Sequence, residues 1–263
     1  MKKFGFLLIF SAILAGCKED KTEVYTQSAK DAALAEQLTI DVLKEVLMIA
    51  PEYVISESYS DNTDIILSAE PEISSPTYPK TITIDYGNGV SGILGKTRSG
   101  KILLTVNSGT IITEDLDISF ENFKSDGSEI LGNITYTFNS STEGYDGEFE
   151  GSGISIINAN GTMKMDGTFN LEKISTAGTT ATTDDIYNFN CRTTGIDFDQ
   201  TSFTYNSTVD HTIDFSCIHM IKAGKSSLAP NGKGEQTVDF GSGNCDATGS
   251  IRLSSGESKN FIF

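Results

Sequence analysis

The feature that most constrains this fold is an alternation of apolar and polar residues that recurs from about residue 63 onward. It is clearest in residues 81–86, 116–120, 134–138 and 163–171. A period of two places one set of side chains on a buried face and the other in water, which is typical of antiparallel sheets. We therefore predict a mainly β protein with a large antiparallel sheet of ten or more strands, either strongly curved or folded into a sandwich.

Short polar segments of hairpin type separate these runs. They are NSGT at 107–110, SDGS at 125–128 and NANG at 158–161, and each suits a tight turn between antiparallel strands. No linker rich in proline or serine divides the chain, although residues 175–185 are a candidate break. One large β-rich domain is the simpler interpretation.

One segment, from Ser28 to Ala50, has apolar residues at steps of three and four, which indicates an amphipathic helix. Ser28 is a suitable N-cap, and Pro51 is a suitable stop. The polar positions on the opposite side are Gln37, Asp41 and Lys44. We expect this helix to cover one face of the sheet.

The first sixteen residues have the pattern of an export signal. Lys2 and Lys3 precede an apolar run at 4–15, which is too short to span a bilayer but suits a signal-peptide core. The run ends in LAGC, which matches a bacterial lipobox with Cys17 as the residue that accepts diacylglycerol and palmitate. We predict a lipoprotein signal peptide at 1–16, an acylated tether at 17–27 and a helix-plus-sheet domain at 28–263.

The residues after Cys17 and the overall charge indicate where such a protein lies. Lys18 is not the aspartate that retains lipoproteins in the inner membrane, and KEDK at 18–21 resembles a surface-export signal. We expect an outer-membrane location, with the cell surface favoured over the periplasmic face. Removal of the signal takes the formal charge from −17 to −19. Such acidity argues against nucleic acid as a partner and leaves the acyl chains as the membrane anchor.

The GKT at residues 95–97 lies in a glycine-dense stretch and must be tested against the phosphate-loop pattern. The first glycine of that pattern would fall at Val90, and the residues that follow predict a strand instead of a helix. We expect no nucleotide, no cofactor and no catalytic residues. We also expect His211, on an alternating strand, to be a surface or hydrogen-bonded structural histidine.

The cysteines permit two interpretations. Zinc binding by Cys217, His219 and the other cysteines is conceivable, but exported proteins more often form disulfides. A hairpin that pairs Ala223 with Glu235 would place Cys217 near Cys245. We therefore predict a Cys217–Cys245 disulfide, no metal, and Cys191 as a leftover buried thiol.

Two motifs resemble a family of Bacteroidota surface or outer-membrane lipoproteins that has no established activity. The first is a G-[KR]-x-R-x-G-[KR]-[IL] element, and the second is a C-terminal DFG-x-G-x-CD turn. Their residues here are Gly95, Lys96, Arg98, Gly100, Lys101, Ile102, Asp239, Phe240, Gly241, Gly243, Cys245 and Asp246. The chain departs from the usual pattern after Asp246, where ATGSIRL lacks the customary asparagine. The resemblance implies the fold and the location, and it assigns no catalytic residues.

These observations favour a non-enzymatic binding or accessory module with a glycan, lipid or protein ligand. A lipid or lipoprotein carrier is an alternative, which a dry apolar cavity between helix and sheet would favour. A polysaccharide hydrolase is another, which two carboxylates about 5 to 9 Å apart in an aromatic-lined groove would favour. The chain contains no tryptophan, a common sugar-stacking residue, although its nine tyrosines could substitute.

Overall fold

The structure is a computed structural model that describes residues 24–56, 64–91, 95–108, 115–176, 178 and 182–263. The predicted signal peptide, the lipid-attachment residue Cys17 and most of the tether lie outside these residues. Part of the predicted turn at 107–110 also lies outside them.

The described chain consists of one long helix and sixteen strands, with a short 3-10 turn at Thr182–Asp184. The helix α1 spans Gln27–Ser56. The strands are β1 Ile66–Glu70, β2 Lys80–Asp85, β3 Val90–Ser91, β4 Thr97–Val106, β5 Leu116–Ser125, β6 Ser128–Leu131, β7 Asn133–Asn139, β8 Gly144–Phe149, β9 Ile154–Asn158, β10 Gly161–Ser175, β11 Ile186–Ile196, β12 Ser202–Asp214, β13 Ile221–Pro230, β14 Gln236–Ser242, β15 Thr248–Leu253 and β16 Ser258–Ile262. The mainly β fold class and the expectation of ten or more strands are confirmed.

All sixteen strands belong to one antiparallel sheet. Its order is β1-β2-β4-β5-β6-β9-β10 and then β11 to β16 in sequence, with β3 paired to β4. The long strands β5 and β10 are joined at one end by β6 and β9 and at the other by β7 and β8. The sheet also continues directly from β10 to β11, across the candidate break at 175–185.

Two of the predicted turns are confirmed. Ser125 pairs with Ser128 across a two-residue turn whose central residues, Asp126 and Gly127, both have positive φ. Positive φ at both positions is the geometry of a type I′ hairpin turn, whose twist matches that of the strands. Asn158 likewise pairs with Gly161 across the second turn.

The sheet curves around α1, as shown by strands from both halves of the sheet that contact the same helix. Tyr136 on β7 donates to the carbonyl of Thr39, and Tyr205 on β12 donates to Glu36. At the start of the helix, Gln236 on β14 donates to the carbonyl of Tyr25. The curved alternative is therefore observed: one sheet around one helix.

Glycines on the concave face allow aromatic rings to lie against the sheet. A Cβ atom on Gly147 would lie 2.0 Å from the ring of Phe169, its cross-strand partner. Glycine within a strand marks such close approaches and bends. The three directly opposed pairs are Gly147 with Phe169, Gly195 with Phe203, and Gly249 with Phe261.

The helix differs from its prediction in its ends and in its environment. It runs through Pro51 to Ser56, because a proline removes one helix hydrogen bond but keeps a helical φ. Ser28 does not cap the helix; its hydroxyl donates to Asp197, 2.6 Å away. The polar positions Gln37, Asp41 and Lys44 are buried, not solvated. Arg98 on β4 contacts Asp41, and the carbonyl of Phe215 contacts Lys44, so the fold also covers that side of the helix.

Candidate functional site

The sheet covers one side of α1 less completely than the others. Lys30 and Leu34 on this side are only half-buried, and three clefts open along it. The helix residues that line the clefts are Gln27, Lys30, Asp31, Leu34, Gln37 and Leu38. Spacing of three and four places them on one face. We call this feature the α1 groove, and its helical floor is about 16 Å long at 1.5 Å per residue.

The first and second clefts lie toward the start of the helix. The first, of about 760 Å³, lies between Lys30 and strands β14 to β16. The second, of about 490 Å³, also contacts Lys30 and is lined by Asn158, Asn160 and Phe198. Because Lys30 lines both clefts, they adjoin.

The third cleft, of about 350 Å³, shares Leu34 and Phe263 with the second. Its apolar wall is completed by Leu38 and Ile218. The polar residues that line it are Gln37, Lys96, Ser125, Asp126, Ser128 and His219. Most of these polar residues lie at one end of the cleft, where it approaches the start of β4 and the β5–β6 turn.

A buried ionic cluster lies behind the third cleft. Arg98, at 1 % exposure, donates from Nη2 to both carboxylate oxygens of Asp41 at 3.0 Å. The same nitrogen lies 3.0 Å from Glu45 Oε1, which also makes an ion pair. Lys96 Nζ contacts Asp41 Oδ1 at 3.1 Å. Lys44 completes the cluster and donates to the carbonyl of Phe215.

Burial shifts the protonation equilibria in this cluster. It raises the pKa of Glu45, against the opposing effect of the nearby Arg98 guanidinium. It lowers the pKa of Lys44 to about 8, although Asp41 and Glu45 favour its charged form. Burial also disfavours the charge on Arg98, but the two carboxylates outweigh this effect and raise its pKa. The guanidinium is thus the fixed charge of the cluster.

A second polar cluster fastens the start of α1 to the β11–β12 loop. Asp31 accepts a hydrogen bond from the backbone N–H of Phe198 at 2.7 Å, while Asp197 accepts one from the hydroxyl of Tyr25 at 2.7 Å. Burial raises the pKa of Asp31 to about 6, and the charges of Asp197 and Asp199 act in the same direction. Gln27 donates to the other oxygen of Asp31, so both oxygens have partners.

Glu36, His211 and Ser226 form a chain with the order of a catalytic triad. His211 Nδ1 lies 2.6 Å from Glu36, and Nε2 lies 2.8 Å from Ser226 Oγ. His211 and Ser226 are each 0 % exposed, and neither lines any of the three clefts. A nucleophile must reach its substrate, so these contacts serve to hold the helix against β12 and β13. This agrees with a hydrogen-bonded structural role for His211.

The predicted Cys217–Cys245 disulfide is present, with Cα atoms 5.5 Å apart, and Cys191 is a buried free thiol. The hairpin register used to predict the bond was wrong. Ala223 pairs with Ser242, not with Glu235, because the turn lies beyond Leu228, which pairs with Gln236, about three residues later than the predicted register requires. Cys217 lies in the loop before β13, and the bond joins this loop to the segment after β14 that contains Cys245.

The zinc alternative does not fit the observed sulfur chemistry. Asp214 lies close enough to Cys217 and Cys245 for their ligand atoms to fall within 4.8 Å of one another. Both sulfurs are joined in the disulfide, however, and metal-binding cysteines act as thiolates. This group therefore holds the loop and not a metal ion.

The sequence DYG at 85–87 recurs as DFG at 239–241, and both copies lie at the end of a strand. In the first copy, Asp85 accepts from the N–H of Gly87 at 2.8 Å, and in the second, Asp239 accepts from that of Gly241 at 2.9 Å. The intervening aromatic side chain is buried in both copies. The GKT leads into strand β4, as predicted.

Sequence reasoning missed Lys96 and Arg98 as interior residues. A usable signal was present, because Arg98 shares the parity of Ile102, Leu104 and Val106, which form the buried face of β4. A charge on that face requires a buried partner. The partners Asp41 and Glu45 lie four residues apart on the helix, so they share one face.

Clefts also occur outside the α1 groove. One of about 620 Å³ is lined by Gly195, Ile196 and Phe203, among other residues. Another, of about 310 Å³, is lined by Asp146, Glu148 and Arg192, among other residues of β7 to β11. Each stands alone, whereas the groove joins three clefts and leads to the buried cluster.

Over the part of the chain that the structure describes, no helix has the length and apolar character needed to cross a membrane. Comparison with protein-family models, with curated proteins and with solved structures finds no match for the chain. The resemblance to Bacteroidota lipoproteins therefore stays a prediction from sequence motifs.

Proposed function

We propose that this protein is a lipid-anchored outer-membrane lipoprotein that acts as a non-enzymatic binding module, and that it takes its ligand in the α1 groove. The observation that carries this proposal is the union of three clefts along one face of α1. Concave sites with a largely apolar lining and a few converging polar groups are the usual form of a small-molecule site. The signal sequence and Cys17 support the anchor.

The groove favours a small ligand over a large one. Its floor belongs to a helix fixed on its other sides by Arg98, Tyr136, Tyr205 and His211, so the site is preorganised. Preorganisation lowers the cost of ordering the protein on binding. The carrier alternative would use the same groove, since α1 itself occupies the concave side of the sheet.

The hydrolase alternative has less support. Asp31 and Asp199 line the second cleft together with two aromatic side chains, Phe198 and Phe263. Asp31 is only 2 % exposed, and both of its oxygens accept hydrogen bonds from protein groups. A general acid needs a free path to the atom it protonates, and these contacts occupy that path.

Binding can be tested with the neutral fluorescent probe N-phenyl-1-naphthylamine. The wild-type protein should enhance its fluorescence saturably, and Leu34→Trp should weaken this binding at least about tenfold by filling the groove. Leu131→Trp is the matched control, because Leu131 lies on the outer side of β6 at 38 % exposure. Absence of saturable binding, or equal binding by both variants, would contradict the proposal.

A further inference from the structure

The third cleft contrasts in charge with the rest of the molecule. The chain has a formal net charge of −17, yet the cluster behind this cleft contains three cationic side chains and two acidic ones. With all five ionised the cluster carries a net charge of +1. Its cations are Lys44, Lys96 and Arg98, and its acids are Asp41 and Glu45.

Lys96 is the member of this cluster that reaches the cleft. Its side chain is 10 % exposed and lines the cleft, while Arg98 behind it is buried. An ammonium carries three N–H donors, more than the contact with Asp41 requires. His219 also lines the cleft, and its Nδ1 is buried and has no hydrogen-bond partner within the described chain. Lys96 is thus the charged donor of the cleft, and the ring of His219 lines the cleft with it.

The remainder of the wall is apolar. Leu34, Leu38, Ile218 and Phe263 line the same cleft, and Phe263 continues into the second cleft. A polar end beside an apolar wall fits an amphiphile with a charged head. The volume of about 350 Å³ lies near the lower end of the range for ligand sites, which suits a medium-length chain better than a long one.

We propose, resting on the function proposed above, that the third cleft binds a free medium-chain fatty acid. The carboxylate contacts Lys96, and the alkyl chain lies against Leu34, Leu38 and Phe263. The cationic cluster selects the carboxylate over a neutral or cationic head group. The exposed Asp126, whose Oδ1 accepts the N–H of Thr97, lines the cleft as well and opposes a second negative charge.

The test compares octanoate, 1-octanol and octylamine by isothermal titration calorimetry on the disulfide-bonded protein. We expect octanoate to bind at least about tenfold more tightly than the other two, as one charge-assisted hydrogen bond would give. Lys96→Gln should remove this preference, and Lys101→Gln should keep it. Lys101 is a partly exposed lysine on β4, five residues after Lys96, and it pairs with Asp85 and Glu121.

Ile218→Asp provides a test that does not depend on a buried residue. Ile218 is 46 % exposed and lines the cleft, so a carboxylate there should weaken octanoate binding about tenfold. Ile66→Asp, at a 65 % exposed site on β1, should bind octanoate like the wild type.

The outcomes separate the two proposals. Equal binding of octanoate and octanol, or retention of the preference in both Lys96→Gln and Ile218→Asp, overturns the fatty-acid assignment. If N-phenyl-1-naphthylamine still binds and Leu34→Trp still blocks it, the binding function stands without that assignment. Absence of binding by octanoate and by the naphthylamine overturns both.

Discussion

Burial raises the pKa of two acidic side chains of α1, although their neighbours differ. Asp31 faces Asp197 and Asp199, and burial together with these charges raises its pKa. Glu45 has a guanidinium beside it, and burial still raises its pKa. Each residue was visible in the sequence as one acid among thirty-six. Its chemistry depends on what the curved sheet places opposite it.

Asp31 should make stability fall as the pH rises from about 4 to about 6. Its pKa is about 6 in the folded protein against 3.8 ordinarily, so the folded state binds the proton more tightly over this interval. The free energy of unfolding is therefore higher below the interval than above it, by about 3 kcal/mol from this group. The free energy of unfolding of Asp31→Asn, measured relative to that of the wild type, should therefore increase by about 2 to 3 kcal/mol as the pH is raised from 4 to 7.5.

Urea unfolding at a series of pH values measures this difference. Asp117→Asn is a suitable control, because it makes the same chemical change at an exposed carboxyl on β5, and the pH dependence of Asp31→Asn is compared with it. A constant offset for Asp31→Asn across the same range would show that its carboxyl does not titrate near pH 6.

Sequence reasoning identified α1 and the strands, but it did not predict how the polar side of α1 packs in the fold. The helical period and the period-two strands both identified real elements, because each follows from local side-chain direction. The polar side of the helix was assigned to solvent, since Asp41 and Lys44 resemble a wet face. Only the curvature of the sheet brings Arg98 and the Phe215 carbonyl against that side. Such long-range pairing has no local signature.

Arg98 should be the strongest single tie between the sheet and α1. Arg98→Met leaves Glu45 buried without its guanidinium partner, and breaking such a pair costs about 3 to 5 kcal/mol. Arg252→Met removes an exposed arginine of β15 and should cost less than about 0.5 kcal/mol. Chemical denaturation of both variants gives the comparison.

A double variant separates charge burial from packing. When Glu45→Met is added to Arg98→Met, the uncompensated carboxyl disappears. The loss of stability in the double variant should therefore be smaller than the sum of the losses in the two single variants. If Arg98→Met costs no more than Arg252→Met, the cluster does not hold the helix, and the basis for a fixed cation behind the third cleft is lost.

At the scale of the whole molecule, the described residues form one curved sheet around one helix, and the groove is the side that the sheet leaves open. The Cys217–Cys245 bond lies beside this opening, in the loop that carries Ile218 and His219. The bond closes a loop between residues 28 apart in sequence, which stabilises the fold by about 3.6 kcal/mol on the chain-entropy model. The disulfide therefore also fixes one wall of the groove.

The proposed membrane location of the molecule rests on Cys17, and replacement of this residue is the decisive test. Cys17→Ala should move the protein from the membrane to the soluble fraction, because each buried methylene of the acyl chains contributes about 0.8 kcal/mol to membrane binding and the strongly acidic chain has no polybasic substitute. Cys191→Ala, which removes the buried free thiol, should stay on the membrane. Fractionation with an alkaline wash measures both variants, and protease treatment of intact cells distinguishes surface display from the periplasmic face. Retention of Cys17→Ala on washed membranes would contradict the lipid anchor, since the tether would then be held by something other than its acyl chains.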